Sequence, residues 1–187
     1  MSNRHDPALV LRYLADALDI EKTLTAFPGM TRETLSGLLR DASGPGVKDH
    51  ALKADLFVDG AARGNPGPAG AGVVLKQTNG LIHRFGEYLG EATNNVAEYR
   101  ALISGIKKAI DLGVKELFVR SDSELIVKQL NGQYKVKSPQ LQDLYFTIIK
   151  AISSFERVTF THIPREENKE ADRLANMAID AKGSVSL

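Results

Sequence analysis

Asp59, Glu98, Asp122 and Asp172 each stand where the chain passes from one pattern to another. Asp59 follows the apolar, β-prone run Leu56-Phe57-Val58 and precedes a turn dense in Gly and Pro, Gly60 to Gly70. No Lys or Arg neighbours it in the strand, so a buried Asp59 needs a hydrogen-bond network or a bound cation. Glu98 falls in the first turns of a long helical pattern, Asp122 closes a short strand, and Asp172 opens the last helix. Each acid also has a plain reading. Asp59 could cap a turn and Asp122 the next helix; Asp172 suits a helix N-terminus and Glu98 a solvated face. Together, four carboxylates without basic partners would repel one another, and divalent cations relieve that. An all-oxygen shell suits Mg²⁺ or Mn²⁺, whereas zero cysteines and four histidines make zinc a poor fit.

The elements that must position these acids are legible in the periodicity. Strand patterns run at about 54–62, from Gly70 to Gln77 and from Leu81 to Leu89, the last two joined by the hairpin signal Thr78-Asn79-Gly80. Thr93-Asn94-Asn95 leads into a helix with Val96, Tyr99, Leu102, Ile103, Ile106 and Ile110, ending at Gly113. Leu117-Phe118-Val119 is the fourth strand, followed by a helix through Leu130 and another from Ser138-Pro139 to Ile152. Val158 to Thr161 is the last strand and Asn168 to Ala181 the last helix. The order βββαβααβα predicts an α/β fold with helices on a mixed sheet. If the first and fourth strands are parallel neighbours, Asp59 and Asp122 meet at one sheet edge, where such sheets bind ligands. Thr93, Asn94 and Asn95 then offer hydroxyl and amide groups to sugar and phosphate oxygens beside Glu98, with Asn65 in the Gly/Pro turn. Helix capping by one of the two asparagines is compatible with that.

Residues 1–40 differ in kind. Asp6-Pro7 starts a helical pattern through Leu18, Phe27-Pro28-Gly29 breaks it, and Thr31 caps a second helix with Leu35, Leu38 and Leu39. Six Lys/Arg against seven Asp/Glu in residues 1–50 argue against an electrostatic nucleic-acid arm and for packing on the rest of the chain or docking a partner. The expected organisation is a helical appendage (1–40), a Gly/Pro-rich linker (41–53), a main α/β domain carrying all four acids (54–182) and a tail (183–187). With a net charge of +1, affinity for a polyanion must come from local clusters or bound metal. No apolar run reaches the ~20 residues of a membrane span, and no signal peptide is evident, so no membrane association and a cytoplasmic location are the default expectations.

The motifs Val58-Asp59-Gly60-Ala61 with Gly64-Asn65-Pro66-Gly67, Thr93-Asn94-Asn95 with Glu98, Ser121-Asp122-Ser123, and Asn168 with Ala171-Asp172 occur in one order. In these the chain resembles the type 1 ribonuclease H family over roughly residues 54–182. The resemblance implies a five-stranded mixed sheet and endonucleolytic cleavage of RNA paired to DNA, with double-stranded RNA an open further substrate. It implies a two-metal mechanism in which Asp59 bridges the ions, Asp122 helps hold the one carrying the attacking water, and Glu98 and Asp172 complete the shell. The products would carry 5′-phosphate and 3′-hydroxyl ends. His162, ten residues before Asp172 in a loop after the last strand, matches a family histidine that shuttles protons or aids product release; the alternative is an exposed loop residue.

Two departures stand out. The loop Ile163 to Asn168 lacks the glycine of many relatives, and the basic, Trp-containing handle of many bacterial relatives is missing, with no Trp in the chain. Lys128, Lys135 and Lys137 are the remaining candidates for phosphate contact, or simply a solvated basic face. The competing readings are another nuclease of the same fold, or a non-catalytic hybrid-binding or partner-docking module.

Overall fold

Alternation sets the central strand. In β1 (Lys53–Ala62), Ala54, Leu56, Val58 and Gly60 are buried while the residues between them are half-buried, so the strand presents two unlike faces. The computed structural model describes residues 20–42 and 52–187, which belong to two units, Met1–His50 and Ala51–Leu187.

In the larger unit β1 is followed by β2 (Gly67–Gln77), β3 (Ile82–Ala92), α3 (Asn94–Asp111), β4 (Glu116–Ser121), α4 (Glu124–Leu130) and α5 (Pro139–Ile152). Then come β5 (Arg157–His162), a 3₁₀ turn at Arg165–Glu167, α6 (Lys169–Ala181) and β6 (Val185–Ser186). The sheet order is β5-β4-β1-β2-β3-β6. β1, β2 and β3 form the expected antiparallel meander, and β4 lies parallel to both β1 and β5. The Thr78-Asn79-Gly80 turn closes as expected, with Gly80 at φ +90° and its N–H donating to the Gln77 carbonyl at 3.0 Å.

The expected five strands are six. Residues 183–187, read as a tail, carry β6, which pairs antiparallel with β3 at Phe85 and Gly86. Two residues are too short to leave an alternation signal, which is why the sequence hides this strand. The last main strand is also longer than its apolar run: His162 ends β5, in register with Ser121, rather than lying in the following loop.

The main core lies between the sheet and α3, around Leu56, Val58, Val73, Leu75, Tyr99, Leu102, Ile106, Leu117 and Ile148. Tyr99 donates to Gln129 Oε1 at 2.9 Å, tying α3 to α4, and burial pushes its hydroxyl pKa up to about 12. α6 covers the opposite face and lies against the backbone itself. A Cβ on Gly72 would fall 1.9 Å from the Ala171 carbonyl oxygen, so glycine there lets the helix carrying Asp172 rest directly on β2.

In the smaller unit, α1 (Ile20–Ala26) and α2 (Arg32–Ala42) are joined through residues 27–31. Thr31 Oγ1 accepts from the Thr34 N–H at 3.1 Å, the cap the sequence suggests. Met30 and Leu35 are buried, with Leu24, Phe27 and Leu38 packed against them. The helix expected over residues 9–18 and most of the linker lie outside the described residues.

Candidate active site

β1 and β4 run parallel, with Phe57 in register with Arg120. Two residues on in each chain stand Asp59 and Asp122, so the ladder brings both acids to the same end of adjacent strands, as the expectation required. α3 brings Glu98 to that end by an unusually close approach. A Cβ on Gly60 would lie 2.0 Å from the Glu98 backbone nitrogen, so only glycine lets the helix touch the strand one residue past Asp59. Asp172 arrives in the first turn of α6.

Asp122, Asp172 and Glu98 all lie close enough to act on the Asp59 carboxyl. Burial pushes the Asp59 carboxyl up to about 7, with further rises from Asp122, Asp172 and Glu98 in that order and a small opposing effect from Arg165. Glu98 is also raised, chiefly by burial and then by Asp122, while its hydrogen bonds to Ser123 and Asn94 pull the other way. One basic partner is present after all: Arg165 Nη2 sits 3.2 Å from Asp172 Oδ1, though its own side chain is 76% exposed. Among the described residues no group of three or more His, Cys, Asp or Glu side chains is already placed to hold a metal ion. Like-charged carboxylates repel, and a cation bound among them would relieve that repulsion. The donors are all oxygen, and Asp59 is a crowded acid whose negative form nothing adjacent fully compensates. Both facts fit a hard divalent cation.

The surrounding groups fix the carboxylates in place. Asn94 Nδ2 donates to Glu98 Oε1 at 3.0 Å, and the Ser123 hydroxyl donates to Oε2 at 2.7 Å. Asn65 Oδ1 accepts from the Asn94 N–H at 3.2 Å, which ties the Gly/Pro turn to the start of α3. Thr93, rather than an asparagine, is the N-cap, its hydroxyl accepting from the Val96 N–H at 3.4 Å. Asp122 does not cap α4: Ser123 occupies that position, and the acid is held from the other side. The buried Asn168 amide donates to Asp122 Oδ1 at 2.6 Å and to the Val58 carbonyl at 2.9 Å, and its Oδ1 is buried without a partner.

His162 is exposed at the end of β5. Asn95 is exposed and, with Lys135 and Lys137, lines a groove of about 570 Å³ that also takes in Leu125, Tyr134 and Leu141. Lys128 is not in that lining. Its Nζ pairs with Glu124 at 2.7 Å and lies 5.1 Å from the Tyr134 ring centre. Sequence reasoning singled out the acids but gave no role to Ser123, Arg165 or Asn168. Asn168 stands in a matched motif, yet nothing near it says that its amide reaches a residue 46 positions away.

A mixed sheet with acids at the ends of two central parallel strands, completed by one acid from a helix on each face, defines the ribonuclease H class of fold. Residues 57–178 match the family model described as "Reverse transcriptase-like". Ribonuclease HI of Halobacterium salinarum is 39% identical over 133 residues, covering 71% of this chain and 67% of the relative. The bifunctional protein Rv2228c of Mycobacterium tuberculosis is 45% identical over 132 residues, 70% of this chain but 36% of that protein, so the chain spans about a third of that relative's length. Among solved structures, LC11-RNase H1 in complex with an RNA/DNA hybrid is 45% identical with a TM-score of 0.65, covering 69% of this chain and 98% of the other. The chain belongs to the type 1 ribonuclease H family.

Proposed function

We propose that the chain is a ribonuclease H that hydrolyses the RNA strand of RNA/DNA hybrids, with Asp59, Glu98, Asp122 and Asp172 holding two divalent cations, Mg²⁺ or Mn²⁺. The observation that carries this reading is the convergence of the four acids: the β1–β4 ladder brings Asp59 and Asp122 to one end of adjacent strands, Gly60 lets Glu98 close on them, and Asp122, Asp172 and Glu98 all raise the Asp59 carboxyl. When bound, the cations supply positive charge to the attacking and leaving oxygens of an in-line displacement. The products carry 5′-phosphate and 3′-hydroxyl ends.

The chain's own residues do the positioning. Asp59, flanked by the other three, holds the middle of the site, and Asp122 stands beside it on the neighbouring strand. Asn94 and Ser123 each fix one oxygen of Glu98, which stops that carboxylate from rotating. Asn168 does the same for Asp122, and Arg165 pairs with Asp172. His162, exposed at the rim, moves a proton or helps the product leave. Thr93, Asn94, Asn95 and Asn65 face the sugar-phosphate backbone, while Lys135 and Lys137 meet phosphates further along the groove. Lys128, already neutralised by Glu124, contributes less.

The test is a labelled RNA/DNA hybrid incubated with the protein in Mg²⁺ or Mn²⁺. Double-stranded RNA and duplex DNA carrying one ribonucleotide run in parallel to set the substrate range. Internal cuts in the RNA of the hybrid support the reading; an untouched hybrid in both metals refutes it.

A further inference from the structure

One helix of the larger unit turns to solvent a side chain that the nuclease reading leaves unused. α5 packs on the core through Leu141 and Ile148, with Leu144, Tyr145, Ala151 and Ile152 beside them. Helical spacing then puts Asp143, Phe146 and Lys150 on the opposite side. All three are exposed, and Phe146, at 63%, is the most exposed large apolar side chain among the described residues. Ile149, one turn further on, is exposed as well. Next to Phe146 lies a hollow of about 390 Å³ that Tyr134, Val136, Gln142 and Tyr145 help to line.

The order of the charges identifies a partner. Asp143 and Lys150 lie equally far to either side of the point between Phe146 and Thr147. Two turns, about 10 Å, separate them along the helix, so they cannot pair with each other. Among the described residues neither one forms an ion pair. A second copy of α5, laid antiparallel about a two-fold axis through that point, sets each Asp143 against the partner subunit's Lys150. The two Phe146 rings then meet at the centre, with the hollow beside them giving the rings room. Opposed helix dipoles favour the same arrangement, since each N-terminus lies next to the other helix's C-terminus.

We propose that the α5 face of Asp143, Phe146 and Lys150 is a self-association surface that joins two copies of the chain through an antiparallel pair of α5 helices. A two-fold contact needs a patch complementary to itself, and an acid, a phenyl ring and a base in that order make one. A nucleic acid would instead meet Asp143 as repulsion. α5 has 14 residues and is about 21 Å long. A single pair of such helices buries less than the ~1,200 Å² at which stable interfaces begin, so the dimer is weak, with a Kd of roughly 1 µM to 1 mM.

The experiment is sedimentation velocity on the full chain in chelator, from about 10 µM to about 1 mM. The mass of the wild type should climb from monomer toward dimer, and Phe146→Ser should stay monomeric throughout. Asp143→Lys sets lysine against lysine at both ends and should weaken association about tenfold or more. The double variant Asp143→Lys with Lys150→Asp exchanges the charges, and should return to within about threefold of wild type. Damage to the fold, monitored by circular dichroism, could not produce that return. Hybrid turnover at about 0.1 µM protein, where the chain is monomeric, should keep its wild-type value in every variant. Wild type that stays monomeric across the range overturns the proposal. So does association that survives Phe146→Ser, or a double variant as weak as Asp143→Lys. Monomeric wild type together with weaker hybrid binding by Phe146→Ser overturns it in favour of a nucleic-acid contact. The nuclease reading fails separately, as wild type that associates but cuts no hybrid.

Discussion

Replacing Asp59 by asparagine should make the metal-free protein more stable, and by an amount that depends on pH. The folded-state pKa of Asp59 is raised from 3.8 to about 7. A carboxyl raised on folding supports the folded state below its unfolded pKa, and that support is lost as pH climbs through the folded value. Wild-type stability should therefore fall between about pH 4 and pH 7 and level off above. The full shift corresponds to about 4 kcal/mol once the group is ionised. Solvent at the open side of the site screens part of it, so we expect about 1–4 kcal/mol. Asparagine keeps the shape and carries no charge, so this contribution to the slope disappears while the one from Glu98 remains. For a domain of this size about 3 °C of melting temperature accompanies each kcal/mol. Thermal melts in chelator should thus show Asp59→Asn about 3–12 °C above wild type at pH 8 and close to it at pH 4. Adding Mg²⁺ should raise wild type far more than the variant, because only wild type gains the binding energy. A variant no more stable than wild type at pH 8, or a difference that is the same at pH 4 and pH 8, would refute the reasoning.

Other substitutions probe the supports of the site. Gly60→Ala puts a methyl 2.0 Å from the Glu98 nitrogen, so α3 must retreat; we expect about 1–3 kcal/mol lost in denaturant titration and turnover down by about 10²-fold. Asn168→Ala strands the Val58 carbonyl and frees Asp122, which should cost about 1–3 kcal/mol and weaken Mg²⁺ binding measured by calorimetry. His162→Ala should slow turnover by about 10²–10⁴-fold, or less if the histidine only assists release, and leave Mg²⁺ affinity unchanged. Unaltered turnover would sink the catalytic assignment.

The acids were legible because each interrupts a periodic pattern, and an acid closing an apolar strand demands an explanation on burial grounds alone. The parallel pairing of β1 with β4 entered only as a condition, because periodicity does not say which strands are neighbours across an intervening hairpin and helix. What could not be read were contacts set by tertiary approach. Asn168 and Ser123 look like ordinary capping residues in sequence, and their donation to Asp122 and Glu98 depends on how closely two helices settle on the sheet. Gly60 and Gly72 hold that approach, yet beside other small residues they read as turn and strand irregularities. Arg165 was read as part of a loop, and only the 3₁₀ turn that follows β5 aims it at Asp172. The two-residue β6 lies below the length at which alternation carries information.

The central claim, that four carboxylates and their cations cut RNA paired to DNA, is tested most directly by one titration. A hybrid labelled on its RNA strand is mixed with wild type or Asp122→Asn, and Mg²⁺ is raised from chelated zero to millimolar. Wild type should leave the DNA strand whole and cut the RNA internally only as Mg²⁺ rises, while Asp122→Asn stays near zero throughout. Cleavage in chelator, or cleavage by Asp122→Asn at the wild-type rate, would contradict the account.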